Sequence, residues 1–245
     1  MSDARSLRQL GTDPAPAAAG HPLAWGIVGV VAQIVFTAGW VIAETWQGPR
    51  YSPINNTISD LQARTAPHVW FPILCFAGAA VGTFGFAVFG LRPALATAGK
   101  VAVFAPWMLA ISALALGNSF PLIPCRLSDP GCTANVQLLS PGGLTDAIVA
   151  GLAFLVLALT PFPLGRRLAA LPSWRPFAPV VKTARVACPV AFGLLAVSSS
   201  LTTMPAVGLT ERILATVCVL WIGALAVYLI VESRQRSREI ALERL

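Results

Sequence analysis

Six stretches of nearly unbroken apolar residues run along the chain, at Leu23–Ala43, Trp70–Leu91, Val101–Leu116, Leu144–Leu164, Val186–Met204 and Leu209–Val231. Crossing the hydrocarbon of a bilayer takes about 20 mainly apolar residues in a helix. Lipid offers no partner to backbone amides, so a spanning segment is either a helix or part of a closed barrel. These runs are about twice as long as a barrel strand, and none alternates strictly. The pattern predicts an all-α, polytopic membrane bundle of six transmembrane helices over residues 23–231, the third run continuing toward Leu122. Residues 1–22, rich in Ala, Pro and Gly, read as a disordered tail, and residues 232–245 as a basic tail.

Between the first two runs lies "YSPINNTISDLQARTAPHVW", Tyr51–Trp70, with two asparagines, an aspartate, an arginine and a histidine. Pro49 and Pro53 keep its start extended. Ser59 and Gln62 have the spacing of a capping box, which predicts a short helix around Asp60–Arg64, stopped by Pro67. Two readings stay open. The segment is either a capped turn tying one span to the next, or a functional surface. In the second reading Asn55, Asn56, Ser59, Asp60, Arg64 and His68 line a pocket with Tyr51, Glu44, Glu211 and Arg212. Asn55-Asn56-Thr57 also matches a glycosylation sequon.

Composition agrees with a membrane protein. Of 245 residues, 56% are hydrophobic and 11% are charged, and mean hydropathy is +0.73. Ordinary soluble domains carry about 25% charged residues, so this chain lacks the charges for a polar shell. The first apolar run is longer than a signal-peptide core and no small-x-small cleavage site follows it, which favours a retained span.

Charge distribution orients the chain. Thirteen of the seventeen Lys and Arg residues lie in the two tails and in the connectors after the second and fourth runs. Only Arg50, Arg64, Arg126 and Arg212 lie on the other side. The asymmetry predicts cytoplasmic N- and C-termini in the cell membrane, with Tyr51–Trp70 outside. The net charge of +7 then reflects basic rims facing anionic lipid, not nucleic acid. Glu44, Asp60, Asp129, Asp146 and Glu211 fall on the outer side. Asp146 and Glu211 open helices, where the macrodipole welcomes acids. Glu44 closes one, where the dipole opposes it, and is the more informative acid.

Cys125 and Cys132 bracket "CRLSDPGC", whose Asp-Pro-Gly is turn chemistry. In an oxidising compartment the two are a disulfide candidate; a metal pair is the competing reading, but the loop has no His. Cys75, Cys188 and Cys218 lie inside spans and read as core residues. His21 and His68 are the two histidines, too few for a multi-histidine metal site. No nucleotide loop, zincin motif or Gly-x-Ser-x-Gly elbow is present, and no cofactor is expected.

"YSPINNTISDLQA" resembles the Tyr-x-x-x-x-x-x-Ile-Ser-Asp-Leu signature of a bacterial membrane family, domain of unknown function 998. "GLTERILATVCVLWIGALAVYL", from Gly208, is similar to the family's Gly-Leu-x-x-Arg-Ile start and Trp in the last span. "SFPLIPCRLSDPGC" resembles a Phe-Pro and paired-Cys loop of actinobacterial members. The resemblance covers Leu23–Val231 and implies a six-helix bundle with no agreed activity, distantly like the Frag1/DRAM/Sfk1 membrane proteins. Carried over, its signature positions are Tyr51, Ile58, Ser59, Asp60, Leu61, Arg212 and Trp221. Members commonly open the fourth span with a His, where this chain has Leu144-Thr145-Asp146. That departure puts His- or metal-based chemistry in doubt here.

No Lys, Arg, Asp or Glu occupies a span centre, which disfavours an ion-coupled transporter. Gln33 is a lone mid-span amide, and the hydroxyls Ser198–Ser200, Thr202 and Thr203 read as bonding their own helix. Gly78-x-x-x-Gly82 fits close helix packing. For chemistry there remain carboxylates at the membrane boundary, with Glu44, Asp60 and Glu211 as the catalytic candidates and Asp146 and Trp221 added to the substrate-binding ones. A carboxylic acid partly withdrawn from water can donate a proton. The expected partners are membrane lipids and an amphiphilic or isoprenoid substrate. A non-catalytic scaffold is the alternative, and oligomeric state is not legible.

Overall fold

The computed structural model describes residues 20–96, 104–117, 122–168, 171–201 and 206–243. The expected N-terminal tail up to residue 19, Lys100, Val101–Val103, Thr202–Met204 and Arg244 lie outside them. In chain order the helices are α1 (Gly20–Glu44), α2 (Trp70–Gly85), α3 (Arg92–Ala94), α4 (Phe104–Leu116), α5 (Ala134–Leu139), α6 (Pro141–Leu159), α7 (Pro161–Leu168), α8 (Ala178–Ser200) and α9 (Val207–Glu243). A π-helical stretch, Phe86–Leu91, joins α2 to α3. Short 3₁₀ turns occupy Ser59–Gln62 and Pro172–Phe177.

Five of the described helical segments are long and apolar enough to cross a membrane, and a shorter apolar helix, Phe104–Leu116, stands in the place of the third expected span. Each of the six puts a large apolar side chain on the bundle's outer flank. Ile34, Leu74, Ile111, Leu152, Val190 and Leu220 are all exposed. Such a girdle would aggregate in water and is at home in hydrocarbon. The last helix does not stop at Val231 but runs to Glu243, so the expected basic tail is its helical continuation among the described residues.

In lipid no hydrophobic drive pulls helices together; close packing does, and small residues permit it. α1 packs against both α2 and α9. A Cβ at Gly26 would lie 2.7 Å from Ile230, and one at Gly39 would lie 2.6 Å from Cys75. Gly82 faces Ala32, but nothing lies within 4 Å of a Cβ at Gly78. The expected Gly78–Gly82 packing pair therefore uses only its second member. Gln33 Nε2 donates to Thr83 Oγ1 at 2.9 Å, the polar link between α1 and α2. Hydroxyls inside helices bond their own backbone, as at Thr37, Ser112 and Ser200. At the end remote from residues 51–66, Trp174, Phe177, Trp221 and Tyr228 form an aromatic cluster.

Candidate functional site

The polar connector folds into a cap over one end of the bundle, and its internal logic starts at Thr57 and Asp60. Thr57 N–H donates to Asp60 Oδ2 at 3.1 Å, and Asp60 N–H donates to Thr57 Oγ1 at 3.1 Å. This is the reciprocal pattern of a capping box. It sits two residues before the Ser59–Gln62 box expected from the sequence, and the 3₁₀ turn that starts at Ser59 takes its side-chain cap from Thr57, not from its N-cap residue Ile58. Asp60 is fully buried. Its Oδ2 also accepts from Asn56 Nδ2 at 3.4 Å, and its Oδ1 accepts from Leu127 N at 3.2 Å and Gln137 Nε2 at 2.9 Å. Burial pushes the Asp60 carboxyl up, while the bonds from Gln137, Leu127, Thr57 and Asn56 pull it down; the net direction is upward. With four donors on two oxygens, Asp60 joins the first connector to the loop between α4 and α5.

That second loop is closed by a disulfide between Cys125 and Cys132, with Cα atoms 6.1 Å apart. Gln137 Nε2 also donates to Cys125 O at 2.6 Å, tying the disulfide to Asp60. Arg126 pairs with Asp129 at 2.6 Å and donates to the carbonyl and side-chain oxygens of Gln47. Thr65 Oγ1 donates to Asp129. Burial works against the Asp129 carboxylate, but the bonds from Thr65 and Arg126 and the guanidinium charge hold it below the usual carboxylate range.

The start of α9 holds the cap from the other side, through four of the five residues Gly208–Arg212. A Cβ at Gly208 would lie 2.2 Å from Asn56 O, so only Gly permits this approach. Leu209 N–H donates to Ile54 O at 3.0 Å. Glu211 accepts from Ile58 N at 2.6 Å and from the Ser59 hydroxyl at 3.3 Å. Arg212 spends all five N–H groups. Nε and one Nη2 hydrogen go to Glu44 Oε1 at 2.8 and 2.6 Å, and the other Nη2 hydrogen goes to the Tyr51 hydroxyl at 2.5 Å. Nη1 donates to Asn56 O and Gly208 O at 2.7 and 2.8 Å. The guanidinium also lies 5.8 Å from the Trp40 ring centre, within cation–π range. Burial pushes the Tyr51 phenol up, with Arg212 opposing it. Gly-Leu-x-Glu-Arg is thus a clamp, each named residue gripping the connector.

Beneath the cap lie two neighbouring cavities, of about 310 and about 370 Å³. Small-molecule sites typically fall in the ~300–1,000 Å³ range. The first lies between α4 and α6, against Phe36 and Phe76; the second lies between α6 and α8, under Leu127 and Gln137. Ser59, Asp146, Ala150, Phe154 and Glu211 line both. Asp146, Ala150 and Phe154 are spaced by four residues, so one stripe of α6 divides the chambers. Rim residues Leu114, Val149 and Leu138 are exposed on the bundle's flank. A third, smaller cavity of about 60 Å³ shares Phe36, Phe76, Leu116 and Phe154 with the first and reaches Gln33 and Thr83 deeper in the bundle.

The expected site residues therefore part company. Glu211, Asp146 and Ser59 meet at the cavities. Asp60, Asn56 and Arg212, buried, and Glu44 and Tyr51, half-buried, form the scaffold of the cap, and none of them lines either of the paired cavities. Asn55 and Arg64 are exposed. His68 is exposed too, with a positive φ of 51° and its ring edge-on to Trp46. Trp221 lies nine residues past Arg212, about 13 Å along the helix, where its Nε1 donates to Thr160 Oγ1 at 3.2 Å. The dipole account of Asp146 and Glu211 also falls. They are the sixth and fifth residues of α6 and α9, and neither helix has an acid in its first turn. Sequence reasoning passed over Thr57, Gln137 and the chamber residues Ala150 and Phe154. Thr57 was findable, because Thr-x-x-Asp is itself a capping signature; Gln137 carried no signal.

Fold and site together define a multi-pass helical membrane protein with a disulfide-closed polar cap over paired cavities. The chain belongs to the family described as Protein of unknown function (DUF998), whose model matches residues 30–228. No curated protein and no solved structure matches it, so the distant likeness to the Frag1/DRAM/Sfk1 proteins gains no support there.

Proposed function

We propose that this protein takes an amphiphilic lipid or isoprenoid molecule from the membrane into the paired cavities, holding its head at Glu211, Asp146 and Ser59. The observation that carries the reading is the shared lining: two carboxylates and a hydroxyl stand where two largely apolar chambers meet. A tail fits the apolar walls, entering past Leu114 and Val149, while the polar edge faces the cap. Proton transfer, if the protein is an enzyme, falls to Glu211 and Asp146, because these two carboxylates line the chambers and Glu44 and Asp60 do not. The cap faces away from the cytoplasm in this proposal. The Lys and Arg asymmetry and the disulfide both support that orientation.

The direct test replaces Ala150, which lines both chambers, with Phe and identifies co-purified lipid by native mass spectrometry. Wild-type protein should retain a defined amphiphile, and Ala150→Phe should lose it at unchanged thermal stability. Equal lipid retention by both proteins would defeat the proposal. Orientation is read separately with Asn55→Cys, which should react with a membrane-impermeant maleimide in intact cells.

A further inference from the structure

Among the described residues, the charged ones lining the two chambers are Asp146 and Glu211; no described Lys, Arg or His contributes to either lining. The nearest cation in sequence, Arg212, has no N–H left to give. Glu211 is 6% exposed, and among the described residues its carboxylate receives the Ile58 amide and the Ser59 hydroxyl. Among the described residues no hydrogen bond reaches the Asp146 carboxylate. Two carboxylates in a mostly apolar cavity are costly without a counter-charge. With both carboxylates ionised, an anionic head would add a third negative charge, and a neutral hydroxyl would leave the pair without compensation. A cation with several N–H donors would offset both charges at once.

We infer that the amphiphile bound in these chambers carries a primary ammonium head, set between Glu211 and Asp146, with its chain along Ala150 and Phe154. The inference rests on the amphiphile-binding reading and names the class of ligand for that site. An ammonium has three donors. Glu211 and Asp146 accept two and the Ser59 hydroxyl oxygen accepts the third, all from residues that line both chambers. The mouth toward Leu114 and Val149 lets the chain lie in hydrocarbon while the ammonium sits under the cap.

The test uses full-length protein in nanodiscs of zwitterionic phosphatidylcholine, with dodecylammonium, dodecanol and dodecyl phosphate as probes of equal chain length. Dodecylammonium should bind at least tenfold tighter than dodecanol, and dodecyl phosphate weakest. Asp146→Asn, which breaks no hydrogen bond among the described residues, should cut the ammonium preference severalfold and spare thermal stability. Glu211→Gln should do the same where it folds. Equal binding of dodecanol and dodecylammonium, or a preference unchanged in Asp146→Asn, would overturn the ammonium assignment and leave the amphiphile reading standing. Failure of all three probes to bind, with Ala150→Phe indistinguishable from wild type, would remove both.

Discussion

Arg212 and Glu44 stand 168 positions apart in the chain, yet the Nε and Nη2 of Arg212 both reach the same oxygen of Glu44, at 2.8 and 2.6 Å. The pair locks the end of the first helix to the beginning of the last. It also resolves why an acid closes α1 against the helix dipole: the guanidinium supplies the compensation the backbone does not.

Breaking one partner of a buried ion pair costs about 3–5 kcal/mol, because the other charge is left uncompensated. The Glu44 side chain is 18% exposed, which places this pair at the low end, about 3 kcal/mol. Arg212→Ala is expected to destabilise the protein by about that amount, read as thermal or denaturant unfolding in detergent. Arg212→Lys should recover little, since one ammonium cannot reproduce five directed bonds. Pairing Arg212→Ala with Glu44→Gln should cost less than the two single changes added together.

Asp60→Asn tests the cap. The carboxylate is surrounded by donors from Asn56, Thr57, Leu127 and Gln137. An amide there points two further donors at them, leaving groups unsatisfied at about 1–3 kcal/mol each. The expected outcome is a lower unfolding temperature and faster proteolysis between residues 122 and 133. Normal stability with lost ligand binding would instead place Asp60 in direct contact with ligand.

Gly208→Ala puts a methyl 2.2 Å from Asn56 O and 2.7 Å from Pro53 O, both backbone atoms. Overpacking of this kind costs about 1–3 kcal/mol. The Leu209–Ile54 bond should lengthen with it, visible as faster amide exchange at Leu209.

The Asp129 carboxyl is held below its ordinary value by Thr65 and Arg126 against the opposing effect of burial. Its contribution to stability is therefore complete above the unfolded value near ~3.9. It disappears as pH falls through the lower folded value. The difference in unfolding temperature between wild type and Asp129→Asn should be largest near pH 6 and shrink toward pH 2. A constant difference would show that the Thr65–Asp129–Arg126 contacts do not depend on ionisation.

The membrane bundle was legible because its signal is repeated: five of the described helical segments are long and apolar enough to span, and lipid admits few other structures. The clamp was half legible. Gly208, Glu211 and Arg212 stood out in the sequence, but nothing there told that Glu211 faces a cavity while its neighbour Arg212 faces Glu44. Successive helix residues point about 100° apart, so adjacent polar residues separate into different environments once partners are in place. Asp60 drew attention as a catalytic candidate for the reason that makes it a structural hub, a carboxylate withdrawn from water. Composition could not reveal that four donors from three segments converge on it. The chambers were hidden because Ala150 and Phe154 are ordinary apolar residues until α4 and α8 are placed on either side of α6.

The central claim is that an amphiphile occupies the chambers beside the α6 stripe. A photoreactive alkyl probe, crosslinked in membranes and mapped by peptide mass spectrometry, measures this most directly. The account predicts labelling concentrated on Val149–Phe154 and Leu114–Leu116, and lost in Ala150→Phe. Labelling spread evenly over the exposed girdle, at Leu74, Leu220 and Val190 as much as at the chambers, would contradict it.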